Sequence, residues 1–168
     1  MTSFDSKHPR ILAIAPSTRG FGFAVLEGLD TLADWGVKSV TTDKNARSIA
    51  KVEELISQYK PDLLVLEDFS TGRRAPRIRR LGKRLITLAR NQNIKVALFT
   101  KEQIREAFYQ ISSGAKQARA EFIAEKFPDE IGFRLPPKRK PWMSEDYRMG
   151  IFDAVALALL PRLVKKHR

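Results

Sequence analysis

Three apolar runs joined by short links fill the first 40 residues, and beyond them the apolar period lengthens and begins to alternate. Ile11-Leu12-Ala13-Ile14-Ala15 is a short continuous run that reads as a buried strand. Pro16-Ser17-Thr18-Arg19-Gly20 is turn chemistry. Residues 21–27 alternate imperfectly and read as a returning strand; Gly28-Leu29-Asp30 is a second turn, and 31–40 a third strand. Links this short make an antiparallel meander. Then Ile49, Val52, Ile56 and Tyr59 mark one face of a helix over 44–59, which Pro61 closes. Leu63-Leu64-Val65-Leu66 is continuously apolar, as a central strand buried on both faces should be, and it stops at Glu67-Asp68. The pattern next predicts a helix over 76–91, a strand over 95–99, and helices over 101–109 and 116–127. The joining loop, 110–115, is small and polar. Residues 128–143 are Pro-rich and irregular. Ser144 is placed to cap a last helix running to about 164, with Glu145 and Asp146 in its first turn. The order βββ-α-β-α-β-α-α-α predicts an α/β fold. Its mixed five-stranded sheet has three antiparallel strands, then two parallel ones, flanked by helices.

No linker, repeat or low-complexity tract divides the 168 residues, so one domain over 1–168 is expected, with a flexible polar arm at 1–9 and a basic tail at 165–168. The chain has no Cys, which excludes disulfides, thiolate nucleophiles and Cys-held metals. Its two His, His8 and His167, lie near the ends, against a His-based triad or zinc site. No apolar run approaches the roughly 20 residues that span a bilayer, and no signal-peptide region opens the sequence. A cytoplasmic protein of a prokaryotic or phage-infected cell, without a membrane partner, is the expectation.

The net charge is +12, and it is concentrated. Residues 69–101 hold ten Lys and Arg and no acid. At about 100° per residue, the 76–91 helix sorts Ile78, Leu81, Leu85 and Leu88 to one side and Arg79, Arg80, Lys83 and Arg90 to the other. Arg77 and Arg84 lie on the border. An acid-free basic stripe of this length points to a polyanion, and nucleic acid first. Trp35 and Trp142 read as packing residues.

Several segments, in order along the chain, resemble the RuvC family of Holliday junction resolvases, within the ribonuclease H-like superfamily. Residues 11–22 resemble its opening, a strand ending in Asp followed by Pro, a small polar turn and a Gly-bearing second strand. Residues 61–67 resemble its second motif, a strand ending in Glu. Ser113-Gly114-Ala115-Lys116 resembles its Lys-bearing loop, and 153–158 the Asp of its last acidic motif. The resemblance implies a ribonuclease H-like fold and a metal-dependent endonuclease for branched or structured DNA, with functions in recombination and repair. It also implies a homodimer.

Enzymes of that superfamily cut phosphodiesters with two Mg²⁺ ions about 3.5–4 Å apart. Mn²⁺ is the expected substitute. Such hard cations take carboxylate oxygens. Glu67, at the end of a buried strand, and Asp153, which interrupts an apolar helix face, are the expected metal ligands and catalytic acids. Asp146, one face and two turns from Asp153 on the expected last helix, is the third. Lys116, expected as a further catalytic residue, and Arg105 resemble basic residues near the family's site and would hold the scissile phosphate or stabilise charge in the transition state. Arg73, Arg74, Arg77, Arg79, Arg80, Lys83 and Arg84 would hold further phosphates, and Phe69 is a candidate wedge between bases. Two positions depart from the pattern. Ala15 stands where the family has its first Asp, and Gly150 where it has an acid three residues before Asp153. Ala15 supplies no oxygen, so the chain as written is expected to bind DNA and cut it poorly. A non-catalytic nucleic-acid binding module on the same fold, with Ala15 native, is one alternative. An RNA-directed ribonuclease H-like protein is the other.

Overall fold

The computed structural model describes residues 9–28, 30–70, 72–112 and 115–165. Most of the expected 1–9 arm, all of the basic tail but Lys165, and Ser113 and Gly114 of the Lys-bearing loop lie outside these residues. The meander forms as β1 (Ile11–Ser17), β2 (Gly20–Glu27) and β3 (Thr31–Ser39). After it come α1 (Lys44–Tyr59), β4 (Leu63–Glu67), α2 (Pro76–Asn91), β5 (Lys95–Phe99), α3 (Lys101–Tyr109), α4 (Lys116–Lys126) and α5 (Met149–Lys165). The single sheet runs β3-β2-β1-β4-β5. Its first three strands pair antiparallel, and β4 and β5 add in parallel beside β1.

The sheet is buried on both faces, and the pleat sorts residues between two cores. Leu12, Ile14, Phe23, Val25, Leu64 and Leu66 face α1 and α2, where they meet Val52, Ile56, Leu81 and Leu85. Ile11, Ala13, Ala24, Leu26 and Val65 face the other way, onto α3, α4 and α5. Residues 20–26 of β2 are buried on both sides, which is why the alternation there is imperfect in the sequence. Among the described residues no helix is long and apolar enough to cross a membrane.

Side-chain direction alternates along a strand. Ile11 and Ala13 face α5, so Ala15 does too; Val65 faces α5, so Glu67 does too. Ala13 pairs with Val65 across β1 and β4, which brings Ala15 and Glu67 to the same end of neighbouring strands.

The last helix begins later than its sequence suggests. It starts at Met149, and Ser144 does not cap it. The Asp146 carboxylate accepts the backbone N–H of Arg148 at 2.9 Å and its guanidinium at 3.0 and 2.8 Å. The Asp146 carbonyl accepts the N–H of Met149 at 3.0 Å. A short acidic side chain that captures a backbone N–H two residues on builds a turn in place of a helical one. Asp146 is therefore not on the helix that carries Asp153, and the expected two-turn spacing between them does not arise.

α5 lies close on the sheet because Gly22 of β2 has no side chain. A Cβ built there falls 2.0 Å from the Gly150 carbonyl oxygen. The approach seats the start of α5 against β2 and holds Asp153 over the ends of β1 and β4.

Candidate functional site

A cavity of about 300 Å³ opens where β1 and β4 end. Ala15, Glu67 and Asp153 all line it, with Arg74, Lys116 and Arg119. The fold thus brings together Glu67, Asp153 and Ala15, the position where the resemblance expects an acid.

Each acid is closed by cations of the chain itself. Arg74 grips Glu67 with a fork, Nε to Oε2 and Nη2 to Oε1, both at 3.1 Å. Gly82 lets this happen. With no Cβ there, the Phe69 ring lies on α2, where a Cβ would sit 2.7 Å from it. The Arg74 guanidinium rests 5.2 Å from that ring's centre. Phe69 is only 6% exposed, so it is packed beneath Arg74 rather than presented as a wedge. Lys116 Nζ reaches Asp153 Oδ2 at 3.2 Å and also pairs with Glu145. Arg119 Nη2 stands 3.8 Å from Asp153 Oδ1 and is stacked 5.8 Å from the centre of the Phe108 ring.

Burial pushes the Asp153 carboxyl up; Lys116 and Arg119 pull it down without prevailing, and Glu145 adds to the rise. Burial likewise lowers Arg119, against the pull of Asp153 and Glu67. Asp68, just beyond Glu67, is held low by the hydroxyl and N–H that Ser70 donates to it, and so serves a turn. Asp146 is also held low, chiefly by the Arg148 guanidinium, and lines a different cleft.

These donors do not suit a pair of hard cations. Two carboxylates, Glu67 and Asp153, face the cavity, both already paired with cationic side chains, and the Ala15 side chain beside them carries no oxygen. Among the described residues no group of three or more His, Asp or Glu is placed to hold a metal. The expected trio of Glu67, Asp153 and Asp146 is therefore not assembled, because the turn at Asp146 takes that residue elsewhere.

A carboxyl raised by folding stabilises the fold while protonated, and that contribution is lost as pH rises through the raised value. Asn mimics the protonated acid at every pH. Asp153→Asn is therefore expected to melt above the parent at neutral pH. The gap should close as pH falls below the ordinary carboxylate range. Thermal melts from about pH 3 to about pH 8 check this; an Asn variant melting lower at neutral pH would mean that the ion pairs outweigh the lost water.

The basic residues divide into two sets. Arg73, Arg79, Arg80, Lys83 and Arg84 are exposed, four of them on the outer side of α2; Arg105 is exposed at the rim of the cavity. Arg77 is instead a staple. Its guanidinium donates to the Ser17 carbonyl and to Asn45 Oδ1, both at 3.0 Å, while Asn45 donates to the Arg77 carbonyl at 3.1 Å. It ties α2 to α1 and to the end of β1. Motif reasoning missed Arg119 and Glu145. Arg119 had a signal, lying three residues after Lys116 on one helix face. Glu145 had none, since it looked like a helix-start acid. The packing expected of Trp142 is also absent: it is 79% exposed.

No protein-family model and no curated protein matches the chain. Among the solved structures similar to it are three resolvases. One is Thermus thermophilus RuvC, at 17% identity and a TM-score of 0.65, covering 94% of this chain and 96% of that one. The second is T. thermophilus RuvC in complex with a Holliday junction substrate, at 18% and 0.64, covering 95% and 96%. The third is the yeast mitochondrial Holliday junction resolvase, at 14% and 0.63, covering 95% of this chain and 82% of that one. The chain thus has the RuvC-like resolvase fold, the ribonuclease H-like arrangement that its order of strands and helices resembles.

Proposed function

We propose that this chain is a nucleic-acid binding protein that recognises branched DNA through its basic face and, as written, leaves the DNA uncut. The observation that supports this most is the cavity. Its two acids are each held by a cation, and Ala15 lines the cavity with them. The bases Arg79, Arg80, Lys83, Arg84 and Arg73 would grip phosphates, with Arg105 and Lys116 nearest the cavity. A homodimer presenting two such faces to a junction belongs to the same reading.

The test is binding and cleavage side by side. The chain is expected to bind a four-way DNA junction more tightly than duplex DNA or structured RNA in competition. It is expected to leave the junction intact with Mg²⁺ or Mn²⁺. Cleavage by the chain as written would overturn the binding-only reading, and preference for structured RNA would turn it toward an RNA-directed protein.

The second reading, a nuclease silenced at one position, is favoured by the strand register that puts Ala15 beside Glu67 on the face toward Asp153. Ala15→Asp adds a third carboxylate to the cavity. Without metal its effect on the melting temperature should be small, because Arg74, Lys116 and Arg119 already outnumber the two acids there. Millimolar Mg²⁺ should then stabilise this variant more than the parent, since a ligand that binds only the native state raises stability. If Ala15→Asp gains neither Mg²⁺-dependent stability nor junction cleavage, the nuclease reading falls and the binding reading remains.

A further inference from the structure

We propose a second nucleic-acid site, for unpaired nucleotides, on the loop between α4 and α5, with Trp142 as its stacking platform. It rests on the nucleic-acid reading above but uses different residues and a different chemistry. A tryptophan that is 79% exposed leaves a large apolar face in water, where its usual place is packed against protein. Phe133 and Tyr147 are also exposed, at 71% and 53%. The loop is built to hold the indole out. Pro136, Pro137 and Pro141 fix φ and limit what the backbone can sample. The N–H of Met143 donates to the Lys140 carbonyl at 3.0 Å, closing a turn with Trp142 at its tip.

The charge around the ring selects the occupant. Residues 131–144 contain Arg134, Lys138, Arg139 and Lys140 and no acid. Lys138, Arg139 and Lys140 are exposed, and Lys140 Nζ lies 5.5 Å from the centre of the Trp142 ring. Cations interleaved with an exposed aromatic ring suit a single strand, whose bases stack while its phosphates pair with Lys and Arg. An apolar protein partner would not call for this run of cations. A paired duplex keeps its base faces covered, so the indole would have nothing to stack on. The position is also suited to a branched substrate. A cleft of about 290 Å³ lined by Pro137, Lys138 and Met143, and also by the acids Glu145 and Asp146, shares Lys116 with the cavity that holds Asp153.

The test uses the whole chain with fluorescein-labelled dT12, rU12 and a duplex, followed by anisotropy. Trp142→Ala is expected to weaken dT12 binding by about 5- to 150-fold, the range for losing one stacked base. Trp142→Phe should keep most of the affinity, since a ring remains. Duplex affinity should change less than about twofold, because α2 is untouched. Replacing Lys138, Arg139 and Lys140 by Gln should flatten the salt slope for dT12 by about 2. An equal effect on rU12 would assign the site to unpaired strands in general, and an effect on dT12 alone to DNA. If Trp142→Ala binds dT12 like the parent, or loses dT12 and duplex equally, the platform is overturned while the α2 face stands. If the chain binds duplex but neither single strand, the platform is overturned as well. If it binds no nucleic acid at all, both readings fall together.

Discussion

Replacing Arg79, Arg80 and Lys83 together by Glu is expected to weaken DNA binding by about two to three orders of magnitude at moderate salt and to leave the fold intact. All three are exposed on α2, opposite the buried side of Ile78, Leu81 and Leu85. The substitution swings the local charge from +3 to −3, so it removes three phosphate contacts and adds repulsion. If the parent neutralises about six phosphates, log K falls against log salt with a slope near −5, and losing three contacts should bring it near −3. The helix itself has reason to tolerate the change. Its first turn holds no acid, and acids near a helix N-terminus are favourable. Glu at position 80 also stands four residues before Arg84, the favoured orientation for an ion pair. A salt titration of junction binding, with a thermal melt to confirm folding, decides the matter. Unchanged affinity in the folded triple variant would remove α2 from the DNA face.

Gly22→Ala should produce a large loss of stability from a single methyl group. The new Cβ would lie 2.0 Å from the Gly150 carbonyl oxygen and 2.3 Å from its carbon, and both are backbone atoms that no rotamer change can move. Either β2 bends or α5 lifts. Overpacking of this kind costs about 3 kcal/mol or more. For a chain of this size that corresponds to a fall of roughly 6–12 °C in melting temperature. The reverse substitution is the control. A Cβ on Gly150 would meet Gly22 Cα at 3.5 Å and Val37 Cγ2 at 3.8 Å, ordinary contacts. Gly150→Ala should therefore be neutral or slightly stabilising, since Ala favours the helix by about 0.5–1 kcal/mol. Equal effects from the two variants would mean that the close approach of α5 to β2 is not as tight as described.

Periodicity carried the fold because each segment obeys one rule at a time. The stripes of α1 and α2 are clean, Pro61 and Pro76 punctuate them, and Leu63–Leu66 is too short and too apolar for anything but a central strand. Glu67 and Asp153 were legible for a related reason: each breaks an apolar pattern where an acid has no packing role. What periodicity does not carry is competition between side chains. The apolar period does not show that α5 waits until Met149, because the Asp146 carboxylate captures the Arg148 N–H and guanidinium and builds a turn first. Nothing local says that Arg74, one of many arginines, folds back over Phe69 onto Glu67, because that depends on Gly82 eight residues later. Trp142 was misread because an indole in an apolar count looks like core, and only the three-dimensional course of a Pro-rich loop shows that no core reaches it.

The seating of α5 also has a bearing on how the chain is made. The helix supplies Ile151, Phe152, Val155 and Leu159 to the face of the sheet built by β1 and β2, yet it is the last element in chain order. While a ribosome is still producing residues beyond the meander, α1 and α2 can already cover one face of β1 and β4. The other face, with Ile11, Ala13, Ala24 and Leu26, stays without its largest cover until about residue 165 has left the exit tunnel. Nascent chains with bare sheet surface are prone to aggregate and are clients of chaperones. This face of the sheet is therefore covered late, and the basic helix α2 is in place before the pocket beside it can close.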